Sequence, residues 1–223
     1  SGFNSALKVV NTPFIIALSP DSEFSVEKLE ELCEYAERYP NAAMVCPSLD
    51  VPRSGLEIWV MGHWELNHSR ARFEADGPYS TWFSSGAVTI YRTDMLKAID
   101  GFDERIFLYN EDLDICIRLR VAGYSIVNVP HIIATHLNSG SAPPSFNLHW
   151  RKDWNFAWSH LYVTRKFRGT SAMLEEAAKI LARCLPKSLF YAIVFNRKRF
   201  VRDFAAVVGT VAFLSGKSPL PRI

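Results

Sequence analysis

Three carboxylates, Glu111, Asp112 and Asp114, fall within four positions at the head of an apolar run. Acids at a helix start are favoured by the helix macrodipole, so ordinary helix chemistry already accounts for them taken alone. A second candidate is Asp21, in Leu18-Ser19-Pro20-Asp21-Ser22-Glu23, directly after an apolar run of strand length. Open α/β sheets bind ligands outside the carboxyl ends of their strands. A carboxylate there suits Mg2+ or Mn2+, which take hard oxygen ligands together with substrate phosphates. The same Asp21 also reads as an Asx turn into the next helix. His136 ends a later apolar strand, where the commoner role of a lone histidine is a structural hydrogen bond.

The elements that must position these residues follow from periodicity. Phe14 to Leu18 is a strand-length apolar run. Ser25 caps a helix carrying Val26, Leu29, Leu32, Cys33 and Ala36 at helical spacing, with Pro40 and Asn41 ending it. Ala43 to Cys46 reads as a buried strand. This strand–helix–strand order predicts an α/β unit with a parallel pair. Gly55 to His63 alternates as a strand, and residues 64–81 read as a surface excursion. Val88 to Tyr91 is a further strand, and Thr93 caps a short helix that Gly101 ends. Ile106 to Tyr109 is an extended entry to the acidic helix. That helix carries Leu113, Cys116, Ile117 and Leu119 on its apolar side, and Gly123 stops it at the position that takes positive φ. Asp114 reads as an ion-pair partner for Arg118, four positions on. Ile126 to Val129 begins the strand that leads to His136.

Taken together, Trp82-Phe83-Ser84-Ser85-Gly86-Ala87, Gly101-Phe102-Asp103-Glu104, Tyr109-Asn110-Glu111-Asp112-Leu113-Asp114, Arg118, Gly123-Tyr124, Pro130 and His136 resemble the second half of an inverting family-two glycosyltransferase of the GT-A type. The likeness is greatest to its rhamnosyl- and galactofuranosyl-transferase-like members, and it covers about residues 1–140. It implies a Rossmann-like α/β fold, a mixed sheet flanked by helices, with the remainder a C-terminal helical appendage. It also implies site roles. Asp112 matches the catalytic base and Glu111 its partner. Asp21 matches the second aspartate of the metal motif, whose first place is taken here by Ser19, and His136 matches a histidine that joins that aspartate on a divalent metal, Mg2+ or Mn2+. Glu23 either assists or is a first-turn acid of the following helix.

Ser85-Gly86 is either a tight turn or a bare backbone that admits acceptor sugar or donor diphosphate. Trp82 is either a sugar-stacking ring or core. The chemistry implied is direct attack of an acceptor hydroxyl on the anomeric carbon of a nucleotide-diphosphate sugar. A positioned general base contributes roughly 10²–10⁴-fold to such a step. The sequence opens just before the acidic-motif strand, so the resemblance supplies a metal and acceptor half without the strands that hold base and ribose. The runner-up reading is therefore an inactive remnant serving as a scaffold or partner-binding module. A metal-dependent phosphoesterase would need a second acidic cluster, and none is found.

Charge separates two regions. Residues 1–140 hold 11 Lys+Arg against 19 Asp+Glu, net −8, and residues 141–223 hold 14 against 4, net +10. The four cysteines form no CxxC pair and read as small buried hydrophobes in a reducing compartment. The first residues lack a signal-peptide pattern. Asn138 to Pro144 reads as a mobile segment, either a lid or a linker. Beyond it, Trp150, Trp154, Phe156 and Trp158 alternate with Arg151, Lys152, Arg165 and Lys166. Ser171 opens a helix with Leu174, Ala177, Ile180, Leu181 and Cys184 inward, ended by Pro186, and a last helix runs from Leu189 to Leu214. Its uncharged run is shorter than the ~20 residues a span requires. Basic residues among Trp, Phe and Leu fit an anionic membrane surface. No nucleic-acid motif accompanies them, so nucleic acid is not expected as a partner. The expected location is cytoplasmic, at the inner face of the membrane, with a glycan or lipid-linked acceptor.

Overall fold

The computed structural model describes residues 2–52, 55–57, 75–137 and 145–220. The expected strand beyond Glu57, most of the surface excursion and the segment Asn138 to Pro144 lie outside the described residues.

The chain divides into two units, one formed by residues 1–103 and 112–142, the other by 104–111 and 143–223. In the first, α1 (Gly2–Val9) leads to β1 (Phe14–Leu18), the two-residue β2 (Ser22–Glu23), α2 (Val26–Arg38) and β3 (Ala42–Val51). Next come β4 (Gly55–Glu57), β5 (Tyr79–Thr81), β6 (Val88–Arg92) and α3 (Thr93–Ala98), then α4 (Glu111–Val121) and β7 (Ser125–His136). These strands form one mixed sheet in the order β1-β6-β3-β7-β2, with β4 on β3 and β5 on β7. Leu32 and Ala36 of α2 pack one face with Val45, Ile90 and Val127. Ile115, Cys116 and Leu119 of α4 cover the other, with Met44, Cys46 and Tyr91.

The expected parallel pair of the opening strands is replaced by an insertion. β6 lies between β1 and β3 and is antiparallel to both. The parallel partner of β3 is β7. β3 also runs on past Pro47, where sequence reasoning stops it. A proline in a central strand is tolerated at a bulge, and the β3–β7 register shifts between Pro47 and Ser48. The buried Asn128 secures the irregularity: its Nδ2 donates to the Pro47 carbonyl at 3.1 Å and its Oδ1 accepts from Ser48 Oγ at 3.2 Å. β7 runs from Ser125 and ends at His136, as expected.

Ser25 caps α2 as expected, accepting from the Lys28 N–H. Thr93 does not cap α3; it is the first helical residue, and Arg92 takes the cap position. Gly123 closes α4 at φ 88°, donating to the Arg120 carbonyl at 3.1 Å while Tyr124 N–H reaches Leu119 O at 3.0 Å. This is the paired hydrogen-bond pattern of a left-handed helix stop. The expected extended entry to α4 is an irregular loop, in which Tyr109 and Asn110 take φ 65° and 61°.

In the second unit, α5 (Phe146–Ile193) has a break at Gly169, φ 85° and ψ 177°, and α6 (Arg197–Leu214) packs along it. Here the sequence reading needs correction. Pro186 lies inside α5 rather than ending it, and Leu174 is exposed, while Met173, Ala177, Ile180 and Cys184 face inward. The turn at 194–196 separates α5 from α6, so the last helix begins later than Leu189. The loop residues 104–111 belong with these helices: Ser159 Oγ donates to the Leu108 carbonyl at 2.9 Å, and Tyr109 meets Phe156 edge to face.

The helices of this unit approach closely at Gly209, where an added Cβ would collide with the backbone carbonyl of Trp154. Gly209→Ala must push α6 away from α5. Such overpacking costs about 1–3 kcal/mol, which urea unfolding of the two proteins will read as a lower midpoint.

Candidate active site

Asp21 lies in the turn between β1 and β2. Its backbone is fixed on both sides: Ser22 N–H donates to the Ser19 carbonyl at 3.0 Å, and Leu137 N–H donates to the Asp21 carbonyl at 2.9 Å. β2 is only two residues long, yet it pairs Ser22 with His136 and Glu23 with Thr135. That register brings His136 Nε2 to 3.3 Å from Asp21 Oδ1, with both side chains largely buried. Ser19 Oγ donates to the same Oδ1 at 2.5 Å. The serine that stands in the place of an aspartate thus orients the remaining carboxylate.

Asp112 is the second residue of the buried helix α4. Its Oδ1 accepts the Leu113 N–H at 2.8 Å, and the Gly86 N–H is a further backbone donor to its carboxyl. Burial is the largest influence and raises its pKa above the ordinary aspartate value, against the lowering effect of those donors. The residue itself retains a partial opening to solvent. A Cβ built on Gly86 would lie 3.7 Å from the Asp112 Cβ. This is ordinary contact, so the glycine presents backbone to Asp112 without being sterically required there.

The Ala87 carbonyl joins the two halves of the site. It accepts from the Ser19 N–H at 2.7 Å and from Ser22 Oγ at 3.3 Å. Gly86-Ala87 therefore contacts Asp112 on one side and the Asp21 turn on the other. The buried Asp114 fixes the helix behind them: Arg118 Nε donates to its Oδ2 at 2.7 Å, and Arg118 Nη1 donates to the Ile99 carbonyl at 2.6 Å.

The remaining candidates are placed differently. Glu111 is the half-buried first residue of α4. Glu23 is exposed in β2, not in the first turn of α2, whose first-turn acid is Glu27. Trp82 is half-buried with the Arg120 guanidinium 4.8 Å from its ring centroid, so one face of the indole is engaged. Ser85 is half-buried and its carbonyl accepts from Thr89 Oγ1 at 3.5 Å. Sequence reasoning missed Ser22, the Ala87 carbonyl and Arg120. The Ser-Pro-Asp-Ser spacing was a signal for the first; a backbone carbonyl leaves none.

Asp21 and His136 form a mixed oxygen and nitrogen donor pair. Two adjacent ligands of an octahedral ion with bonds near 2.1 Å sit about 3.0 Å apart, close to the observed 3.3 Å. Among the described residues no group of three or more His, Cys, Asp or Glu side chains is placed to hold a metal. The pair fits a metal whose other ligands come from substrate phosphate and water.

The family description Glycosyl transferase family group 2 matches residues 14–216, and the chain belongs to that family. Among curated relatives, the N-acetylglucosaminyl-diphospho-decaprenol L-rhamnosyltransferase of Mycobacterium tuberculosis is 27% identical over 143 residues, 55% of this chain and 46% of the relative. Rhamnosyltransferase WbbL of Escherichia coli is 29% identical over 85 residues, 38% of this chain and 31% of that protein. The matches thus span less than half the length of these relatives. Among solved structures, a mannosyltransferase from Pyrobaculum calidifontis, in complex with GDP-Man and Mn2+, aligns with TM-score 0.50 at 12% identity, covering 96% of this chain and 66% of that one. This likeness establishes the fold as GT-A-like.

The raised pKa of Asp112 has a signed consequence. Its folded value exceeds its unfolded value, so ionising it opposes folding. That penalty is absent below the ordinary aspartate range and complete above the raised value. Asp112→Asn removes it. As pH rises through this window, the wild type should lose stability relative to Asp112→Asn, as read by urea unfolding of both across an acid-to-neutral series. A constant difference would refute the buried, elevated carboxyl.

Proposed function

We propose that this chain carries the metal and acceptor part of an inverting glycosyltransferase. It moves a sugar from a nucleotide-diphosphate donor to a hydroxyl of a glycan or lipid-linked acceptor in cell-surface polysaccharide synthesis. The observation that carries the reading is the Gly86-Ala87 backbone, which contacts both Asp112 and the turn of the Asp21–His136 pair. Its support is the family membership and the rhamnosyltransferase relatives, which favour a rhamnosyl-type hexose.

Asp112 is the general base. Ionised, its carboxylate takes the proton of the acceptor hydroxyl as that oxygen attacks the anomeric carbon. The packing that raises its pKa also makes it a stronger proton acceptor. Glu111 neighbours it at the helix start as its partner. Asp21 and His136 would hold a divalent metal, Mn2+ or Mg2+, with Ser19 orienting the aspartate from outside the coordination shell. When bound, such an ion supplies Lewis-acid neutralisation of the charge on the departing nucleoside diphosphate. Ser85 and Gly86 offer backbone to the substrate, and Trp82 offers an aromatic ring for stacking. Glu23 sits at the margin of this site. The basic helical unit holds the protein against an anionic membrane surface, peripherally and on the cytoplasmic side.

Asp112→Asn should lower transfer by about 10²–10⁴-fold and leave nucleotide-sugar binding intact, with a panel of nucleoside-diphosphate sugars including L-rhamnose as donors. Normal turnover by that variant would sink the base assignment. Asp21→Ala and His136→Ala should each weaken Mn2+ binding, measured by calorimetry with the donor's nucleoside diphosphate present. Chelation by EDTA should stop transfer, and added Mn2+ or Mg2+ should restore it.

A further inference from the structure

The exposed end of the helical unit carries an apolar group with no acid near it in sequence. Leu185, Leu189 and Ile193 recur every fourth residue along the last turns of α5, and the turn adds Val194 and Phe195. Exposure climbs toward the apex, from 60% at Leu189 to 75% at Ile193 and 92% at Phe195. Phe195 has φ 53°, a left-handed conformation that usually falls to Gly or Asn. A large ring is thus held outward at the tip, where folding alone gives no reason to keep one.

The flanking charge is of one sign. Residues 180–201 contain Arg183, Lys187, Arg197, Lys198 and Arg199 and no Asp or Glu; beyond them Lys179 is paired with Glu175 and Glu176, and Arg202 with Asp203. Asn196 caps α6 by accepting from the Arg199 N–H at 3.2 Å, which places three basic residues in the first turn. Cations at a helix N-terminus oppose the macrodipole, so this turn is organised at a cost to the isolated helix. An anionic surface would reverse that cost.

We infer that the α5–α6 turn is a membrane wedge: Leu189, Ile193, Val194 and Phe195 enter the acyl boundary of an anionic bilayer, and Lys187, Arg197, Lys198 and Arg199 bind its phosphate headgroups. This rests on the membrane-surface part of the reading above and specifies the segment that makes the contact. No helix among the described residues is long and apolar enough to cross a membrane, so the turn lies in the interface, anchored by apolar area and charge together. A protein partner would ordinarily offer mixed charge at its rim; the five cations flanking the tip, Arg183, Lys187, Arg197, Lys198 and Arg199, have no acid among them and match a uniform anionic plane.

The test uses the full chain and vesicles of phosphatidylglycerol with phosphatidylcholine, against phosphatidylcholine alone. Wild type should sediment with the anionic vesicles only. The double variant Ile193→Asp, Phe195→Asp should bind at least about tenfold more weakly, the scale expected from losing a buried Ile or Phe, with an unchanged circular dichroism spectrum. Phe195→Trp should add to the emission of the six native tryptophans a component that brominated acyl chains quench beyond any quenching seen in wild type, a readout that does not depend on the double variant folding. Binding of wild type without such quenching, or equal binding by the double variant, overturns the wedge but leaves the surface reading. No binding at all overturns both. A concentration-dependent dimer that the double variant dissolves assigns the patch to a second copy and also overturns the wedge. Nucleotide-sugar binding should be the same in wild type and double variant, so failure of the sugar chemistry is scored separately from failure of the wedge.

Discussion

The candidate site depends on one short piece of backbone pairing, the two-residue strand β2 laid against the end of β7. Asp21 and His136 are far apart in the chain, and only this ladder sets them side by side. Two residues of pairing are little on their own. The turn is reinforced by the Ala87 carbonyl, which receives one donor from Ser19 and one from Ser22. The same stretch of β6 entry touches Asp112 through Gly86. A single backbone segment therefore sets both the donor pair and the carboxylate, and a shift in it would disturb the two together.

The two carboxylates are held in different electrostatic surroundings. Asp21 accepts from the Ser19 hydroxyl and lies beside the His136 imidazole, so its carboxylate is answered by polar side chains. Asp112 is answered only by backbone N–H groups, and desolvation outweighs them. The two carboxylates thus differ in what surrounds them, side chains at one and backbone donors in a desolvated setting at the other. Asp114, a third acid in the same stretch, is neutralised by Arg118 and serves the helix. Sequence spacing singled out only the third of these, through the four-residue step from Asp114 to Arg118.

Much of the first unit was legible because its elements obey simple periods. The strand Phe14–Leu18, the Ser25 cap and the Gly123 stop are all local, each decided by a few neighbouring residues. What failed was non-local. The insertion of β6 between β1 and β3 depends on pairing over long sequence separation, and the passage of β3 through Pro47 depends on a register shift in another strand. In the helical unit, Pro186 and Ser171 looked like punctuation. The real break is at Gly169, whose left-handed φ ends the helical path, while Pro186 is accommodated within the helix. The candidate residues were reachable by motif. Their connection through a carbonyl of Ala87 was not, because a carbonyl carries no residue signature.

The approach to α4 shows how the sequence spends stability near the chemistry. Tyr109 and Asn110 both take left-handed φ immediately before Glu111 and Asp112. Asparagine tolerates this, but a tyrosine does so at a cost on the order of 1–2 kcal/mol. Burial among the helices of its own unit compensates: Tyr109 packs on Phe156, and its hydroxyl is driven up to about 12, chiefly by desolvation and then by Asp153 and Glu111. A tyrosine held in an unfavourable backbone conformation thus stands two residues before the acidic start of α4.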